Sequence, residues 1–306
     1  MKLSTAWHGF LFHMRSRDLS EHTVADYQNS ITKFIAFVGD RHISDITKTD
    51  VAAFIASLNG RSKKTKLNYH IGLAAMWTWL VEEGLATDHI VRAVKPPRPA
   101  DPEIIPFTET DVQLLLANLD RTRPYKRNFQ YEPSTHAVPN SLRNKVIIYL
   151  LLDTGIRAGE LCNLEIRDLD MRNKELKIRQ GKGGKNRPVY FSAKTGKMLW
   201  RYLAGRPHAA DEYPIIAAAD DAPLKVRGLG LMLERLGRKA GVRDVHPHRF
   251  RHTFAINYLR NGGDPFTLQK LLGHSDMAMT RRYINLARQD LARRHHTASP
   301  VANWNI

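Results

Sequence analysis

Apolar residues recur at three- and four-residue steps through most of this chain, and capping residues, glycines and prolines break the pattern into segments. Ser20 precedes a run with Val24, Tyr27, Ile31, Phe34, Ile35 and Val38 on one face, and Gly39 closes it. Thr47 opens a second run, Lys48 to Leu58, with Val51, Phe54, Ile55 and Leu58 aligned. A third extends from Lys63 to Glu83, carries Leu67, Ile71, Ala74, Ala75, Trp77 and Leu80, and stops at Gly84. With a first segment near Ser4–Arg17, these runs predict four helices. The aromatic residues on their apolar faces read as core, not as a base-stacking surface, because apolar periodicity marks the buried side.

The pattern then fails. Residues 95–106, KPPRPADPEIIP, hold five of the fifteen prolines. Proline fixes φ and removes a donor, so this stretch reads as an extended, stiff linker. It divides the chain into a helical domain at 1–94, a linker at 95–106 and a second domain at 107–306. The second domain opens on Thr108-Glu-Thr-Asp111, a capping-box variant, ahead of VQLLLANL. Residues 120–141 are polar, basic and proline-interrupted and read as an exposed loop. Residues 142–153 read as a buried helix. ELKIRQ and RPVYF flank GKGGKN and predict a β-hairpin. Helical spacing returns over 192–204, 225–240, 247–261, 264–272 and 276–286. The fold class is therefore mainly α: a four-helix domain, then an α-rich domain with a small antiparallel β-sheet.

Charge narrows the partners. The 306 residues carry 47 Lys+Arg and 30 Asp+Glu, a formal net charge of +17. Residues 1–98 contribute +4 and the remainder +13, so both parts are basic, as expected if both touch one long polyanion. The charge is spread along the chain and not packed into a block, which disfavours a membrane surface. No run approaches a membrane span, and His8, His13 and Arg15 interrupt the apolar N-terminus, which does not read as a signal peptide. A single cysteine, Cys162, excludes a disulfide framework and a cysteine-based zinc site, and fits a reducing cytosol.

Four short clusters carry candidate chemistry. Thr154-Gly155-Ile156-Arg157-Ala158-Gly159-Glu160 puts an arginine at a helix start, just after an apolar helix and a glycine turn. Alone, such an arginine is an ordinary surface residue. Lys182 lies in Gly181-Lys182-Gly183-Gly184-Lys185 at the hairpin tip, where glycines let backbone approach a ligand. This is not a P-loop, because GxxxxGK[ST] spacing is missing. In His246-Pro247-His248-Arg249-Phe250-Arg251-His252, residues His248, Arg251 and His252 share a helix face. A metal there would lack further ligands. Finally, Gly273-His274-Ser275-Asp276 is followed by Tyr283, nine residues after His274.

Taken in order, the clusters resemble the tyrosine recombinase (phage integrase) family, whose pattern is an arginine in TGxR, a hairpin lysine, H-x-x-R, G-H and a downstream tyrosine. His246 and Arg249 also form H-x-x-R. The register His248/Arg251 is preferred because Arg251-His252-Thr253-Phe254-Ala255 continues the family's R-H-T-x-A. Phe250 stands where leucine is common, and Ala158-Gly159 where bulkier residues are usual.

The resemblance implies an N-terminal SAM-like core-binding domain and a catalytic domain closing as a clamp on double-stranded DNA. It implies a Xer-like site-specific recombinase working through a 3′-phosphotyrosyl intermediate, for movement of a mobile element or resolution of chromosome dimers. Tyr283 would be the nucleophile. Arg157 and Arg251 would bind the scissile phosphate, and His274 would donate a further hydrogen bond. His248 would accept the phenolic proton, with nearby cations favouring its loss. Lys182 would protonate the leaving 5′-hydroxyl, and Glu160 would orient the set from behind.

No metal or ATP is expected, since the phosphotyrosyl bond keeps the energy of the broken diester. A homotetramer on two DNA sites is expected, from monomers or dimers before synapsis, in a prokaryotic cytoplasm at the nucleoid. Val301, Trp304 and Ile306 on the polar tail suggest docking on a neighbouring protomer. Two alternatives are a type IB topoisomerase-like enzyme and a catalytically silent DNA-binding regulator. A metal-dependent nuclease would need a carboxylate cluster that the chain lacks.

Overall fold

Side-chain caps open many of the helices. Ser20 accepts from the Thr23 amide, Thr47 and Asp50 form a reciprocal capping box, and Ser62 accepts from the Thr65 amide. They open α2 (Glu21–Val38), α3 (Lys48–Ser57) and α4 (Lys63–Glu82), which follow α1 (Leu3–Ser16). The computed structural model describes residues 1–100, 103–120, 140–179, 186–206, 210–218, 221–274, 277–287 and 299–304. Its chain parts into two units, Met1–Pro102 and Glu103–Ile306.

In the first unit the four helices close over one core. Trp7, Phe10, Phe34, Phe54, Tyr69, Trp77 and Trp79 are all buried in it. Phe34 meets Phe54 and Trp77 edge-on, with centroids 5.3 and 5.9 Å away. The aromatics are thus core, as their spacing predicted. On α4 the buried face is wider than the predicted stripe and centres on Leu73, Met76 and Leu80, while Ile71 is exposed.

The second unit starts with α5 (Glu109–Ala117), opened by a Thr108–Asp111 capping box. Then come α6 (Ser141–Thr154), α7 (Ala158–Cys162), and strands β1 (Leu169–Asp170), β2 (Glu175–Ile178) and β3 (Arg187–Tyr190). The sheet is antiparallel in the order β1-β2-β3, with Leu169 opposite Leu176 and Leu176 opposite Val189. Leu176, Ile178 and Val189 point inward at a two-residue period.

Helices α8 (Ala193–Ala204), α9 (Val226–Ala240), α10 (Pro247–Arg260), α11 (Pro265–Leu272), α12 (Ala278–Ala287) and a short α13 (Pro300–Asn303) follow. Helix α6 is the central spoke: Val146, Ile147, Ile148, Leu150 and Leu151 are all buried, and Cys162 of α7 joins the same core. The mainly helical class with a small antiparallel sheet agrees with the sequence reading. That reading missed β1. It also left α7 as a helix start of no stated length.

Candidate active site

Helix α6 ends on Gly155 in the left-handed region (φ +61°). A Cβ there would lie 2.3 Å from Phe254, so the turn needs glycine twice over. The turn delivers Arg157 as the cap of α7. Glu160 Oε2 accepts the Arg157 backbone N–H at 2.8 Å, and Oε1 accepts from its Nη1 at 2.9 Å. Arg187 of β3 donates to both oxygens of the same carboxylate, at 2.9 and 2.8 Å. Burial alone would raise the Glu160 carboxyl, but the Arg187 hydrogen bonds and the Arg157 amide bring it down to about 2.

Helix α10 supplies the second arginine. Pro247 sits in its first turn, where no amide is needed. Phe250 is fully buried against Phe107, centroids 4.6 Å apart, and seats the helix. Burying such a ring contributes roughly 2–3 kcal/mol. Arg251 is 3 % exposed, and burial, with Arg157 close by, lowers its guanidinium to about 10. Arg249 turns elsewhere: it donates to the Ile105 carbonyl at 3.0 Å and covers the Phe107 ring.

Three guanidiniums meet one helix end. Arg187 Nε donates to Leu271 O at 2.7 Å, Arg251 Nη2 to Leu272 O at 2.6 Å, and Arg157 Nη2 to Gly273 O at 3.2 Å. The last carbonyls of a helix lack intrahelical partners and carry partial negative charge, so the α11 C-terminus draws cations to itself. Gly273 is left-handed (φ +63°), and a Cβ on it would lie 3.1 Å from the Arg187 guanidinium. His274 follows directly, its Nδ1 3.2 Å from Thr280 Oγ1.

Tyr283, on α12, is 1 % exposed. Its ring stacks on His274 with centroids 6.1 Å apart, and its hydroxyl lies 2.8 Å from His252 Nδ1. His248 stacks in turn on His252, centroids 5.8 Å apart. So the imidazole on the phenol is His252, one turn along α10 from the expected His248.

The phenol's ionisation also departs from expectation. Burial raises it, against the opposing pull of Arg251, Arg282 and Arg157. Burial lowers both imidazoles, His252 to about 4, helped by His248.

The fold thus gathers Arg157, Glu160, His248, Arg251, His274 and Tyr283 around one helix end. Lys182, Ser275, Asp276 and Ile306 lie outside the described residues, as does most of the loop predicted at 120–141. Arg187 and His252 were not among the expected site residues. A signal for Arg187 existed: strand alternation puts it on the inward side with Val189, and an inward cation needs a partner. Among the described residues no group of three His, Cys, Asp or Glu could hold a metal ion. No described helix is long and apolar enough to cross a membrane.

Residues 108–290 match the phage integrase family, and residues 8–87 match the phage integrase N-terminal SAM-like domain. The chain is 30% identical over 305 residues to tyrosine recombinase XerC of Staphylococcus epidermidis, covering 96% of each. Its fold resembles that of the Tn1549 transposon integrase (residues 82–397) solved with circular intermediate DNA. That likeness has a TM-score of 0.74 at 19% identity, over 95% of this chain and 99% of the other. It also resembles lambda integrase solved as a tetramer on a Holliday junction, with a TM-score of 0.72 at 16% identity, over 92% and 77% of the two chains.

Proposed function

The chain belongs to the phage integrase family and is a tyrosine site-specific recombinase, and from that premise we propose which of its residues carry the reaction. Tyr283 Oη attacks the scissile phosphorus, the bond to O5′ breaks, and a 3′-phosphotyrosyl ester forms. Arg157 and Arg251 bind the non-bridging oxygens, whose charge grows in the transition state. His274 adds a further hydrogen-bond donor. Lys182 gives a proton to the leaving 5′-oxygen. Glu160, locked between Arg157 and Arg187, holds the first guanidinium square to its target. The observation that carries this reading is the buried Tyr283, whose phenol feels both Arg251 and Arg157, the two arginines that donate to carbonyls at the C-terminal end of α11.

In this reading both the helical part at 1–94 and the catalytic part at 107–306 bind the duplex. The lambda integrase tetramer on a Holliday junction supports four copies acting together on DNA, and the Tn1549 integrase with circular intermediate DNA supports DNA as the partner. Relaxation of supercoils without site dependence is not favoured, because the relatives are recombinases. A cytoplasmic location beside the DNA goes with the same reading. The diester's energy is kept in the tyrosyl bond, so cleavage needs neither ATP nor a divalent metal.

Covalent capture tests this. The protein is incubated with nicked duplex fragments from its own genome in EDTA, then denatured, and the trapped DNA is sequenced. An adduct in wild type, absent in Tyr283→Phe, is expected. An adduct retained by Tyr283→Phe overturns the nucleophile assignment, and a strict metal requirement overturns the metal-free mechanism.

A further inference from the structure

We infer that His252, not His248, is the group that takes the phenolic proton of Tyr283 when the tyrosine attacks. The inference rests on the recombinase reading above and deepens it. Tyr283 is almost wholly buried, and its hydroxyl lies 2.8 Å from His252 Nδ1. A proton leaving that oxygen must go to something already touching it, because burial keeps bulk water away. His248 touches His252 through its ring face, centroids 5.8 Å apart and planes 18° off parallel.

Proton bookkeeping supports the same atom. A phenol must donate in this hydrogen bond for its proton to move along it, so Nδ1 must be the bare nitrogen and the ring must be neutral. The surroundings enforce neutrality: burial first, then His248, His246 and Arg251, hold the imidazole down to about 4, with Arg282 adding from α12. The same cations, Arg251, Arg282 and Arg157, oppose the burial that raises the phenol. A phosphate bound by the arginines offsets those charges and makes His252 more basic when substrate arrives. In the step, the Oη–P bond forms, the P–O5′ bond breaks, the phenolic proton passes to Nδ1 and Lys182 protonates O5′. Reversal on rejoining returns each proton to its origin.

The contact spans two helices, α10 and α12. His252 therefore also sets where the nucleophile rests, and the test must separate basicity from positioning. The DNA site trapped by covalent capture is resynthesised with sulfur in place of the bridging 5′-oxygen. A thiolate leaves without an acid, so adduct formation no longer depends on Lys182 and reads activation of the tyrosine. His252→Asn keeps an acceptor near Nδ1 but has no basicity. Its adduct rate is expected to fall about 100-fold, with DNA affinity unchanged and the rate now rising with pH where wild type is flat. His248→Gln is expected to fall far less on this substrate.

His252→Asn at the wild-type rate and pH profile would overturn the inference, as would His248→Gln carrying the larger loss. If the His252 variants do not fold, nitrogen-15 spectra of histidine-labelled wild type decide. A bare Nδ1 on His252 at neutral pH is required, and a protonated one overturns the assignment. A wild-type chain that forms no adduct with the sulfur substrate overturns the tyrosine mechanism itself, which is a separate result from a working His252→Asn.

Discussion

A carboxylate gripped by two guanidiniums changes what acid does to this fold. Glu160 ionises at about 2 when folded, against an ordinary value of 4.5, because the hydrogen bonds from Arg187 and Arg157 outweigh its burial. A depressed folded value stabilises above the unfolded one, and that stability drains away as pH falls from about 4.5 toward 2. The difference corresponds to roughly 3 kcal/mol. Urea unfolding at pH 5 and at pH 3 should therefore show a loss that Glu160→Gln lacks; equal slopes in the two proteins would show that Glu160 does not carry it. At this scale the sequence was uneven. Arg157, Arg251, His274 and Tyr283 stood out because each sits in a short local pattern. Arg187 did not, and His252, though visible on the Arg251 face, carried no role, because their meaning lies in partners 27 and 31 residues away. Nor does spacing reveal that burial beats three cations at the Tyr283 hydroxyl.

Helices were legible wherever a side chain capped them or a glycine ended them, and their observed bounds stay close to those readings. Elements of two and five residues, β1 and α7, are too short to show a period. What no periodicity displays is the use made of the α11 C-terminus. Its carbonyls tie together β3, α7 and α10, which are far apart in the chain, and hold His274 at the junction. Removing one cation should loosen the whole knot. Arg187→Gln leaves Glu160 short of two hydrogen bonds and frees Leu271 O. We expect it to cost roughly 3 kcal/mol in denaturant unfolding, and to slow adduct formation on the trapped site by more than tenfold. Arg187→Lys should not restore the rate, since a point charge cannot span both oxygens and a carbonyl. Full activity in either variant would relieve Arg187 of any positioning role.

On the scale of the whole molecule, the basic charge along the chain and the mainly helical class are legible in the sequence itself. Assembly was legible only through the family resemblance, because the contacts that make it depend on a second copy. The described end of the chain offers one handle: Val301 and Trp304 on and beside α13 are 71 % and 64 % exposed. Apolar groups left out on a polar tail fit a seat on a neighbouring protomer. Deleting residues 298–306 should leave single-site binding intact in a gel shift while reducing the paired-site complex severalfold; pairing at the full level would remove the tail from assembly.

Cys162 has a practical meaning of a different kind. It is 5 % exposed at the end of α7, and burial pushes its thiol up to about 11. Only a thiolate reacts with alkylating agents, so the closed protein behaves toward them as though it had no cysteine at all. A single cysteine introduced on the surface would be the one that takes a dye. Slow labelling of Cys162 itself would then keep time on how often the core beneath the active site comes open.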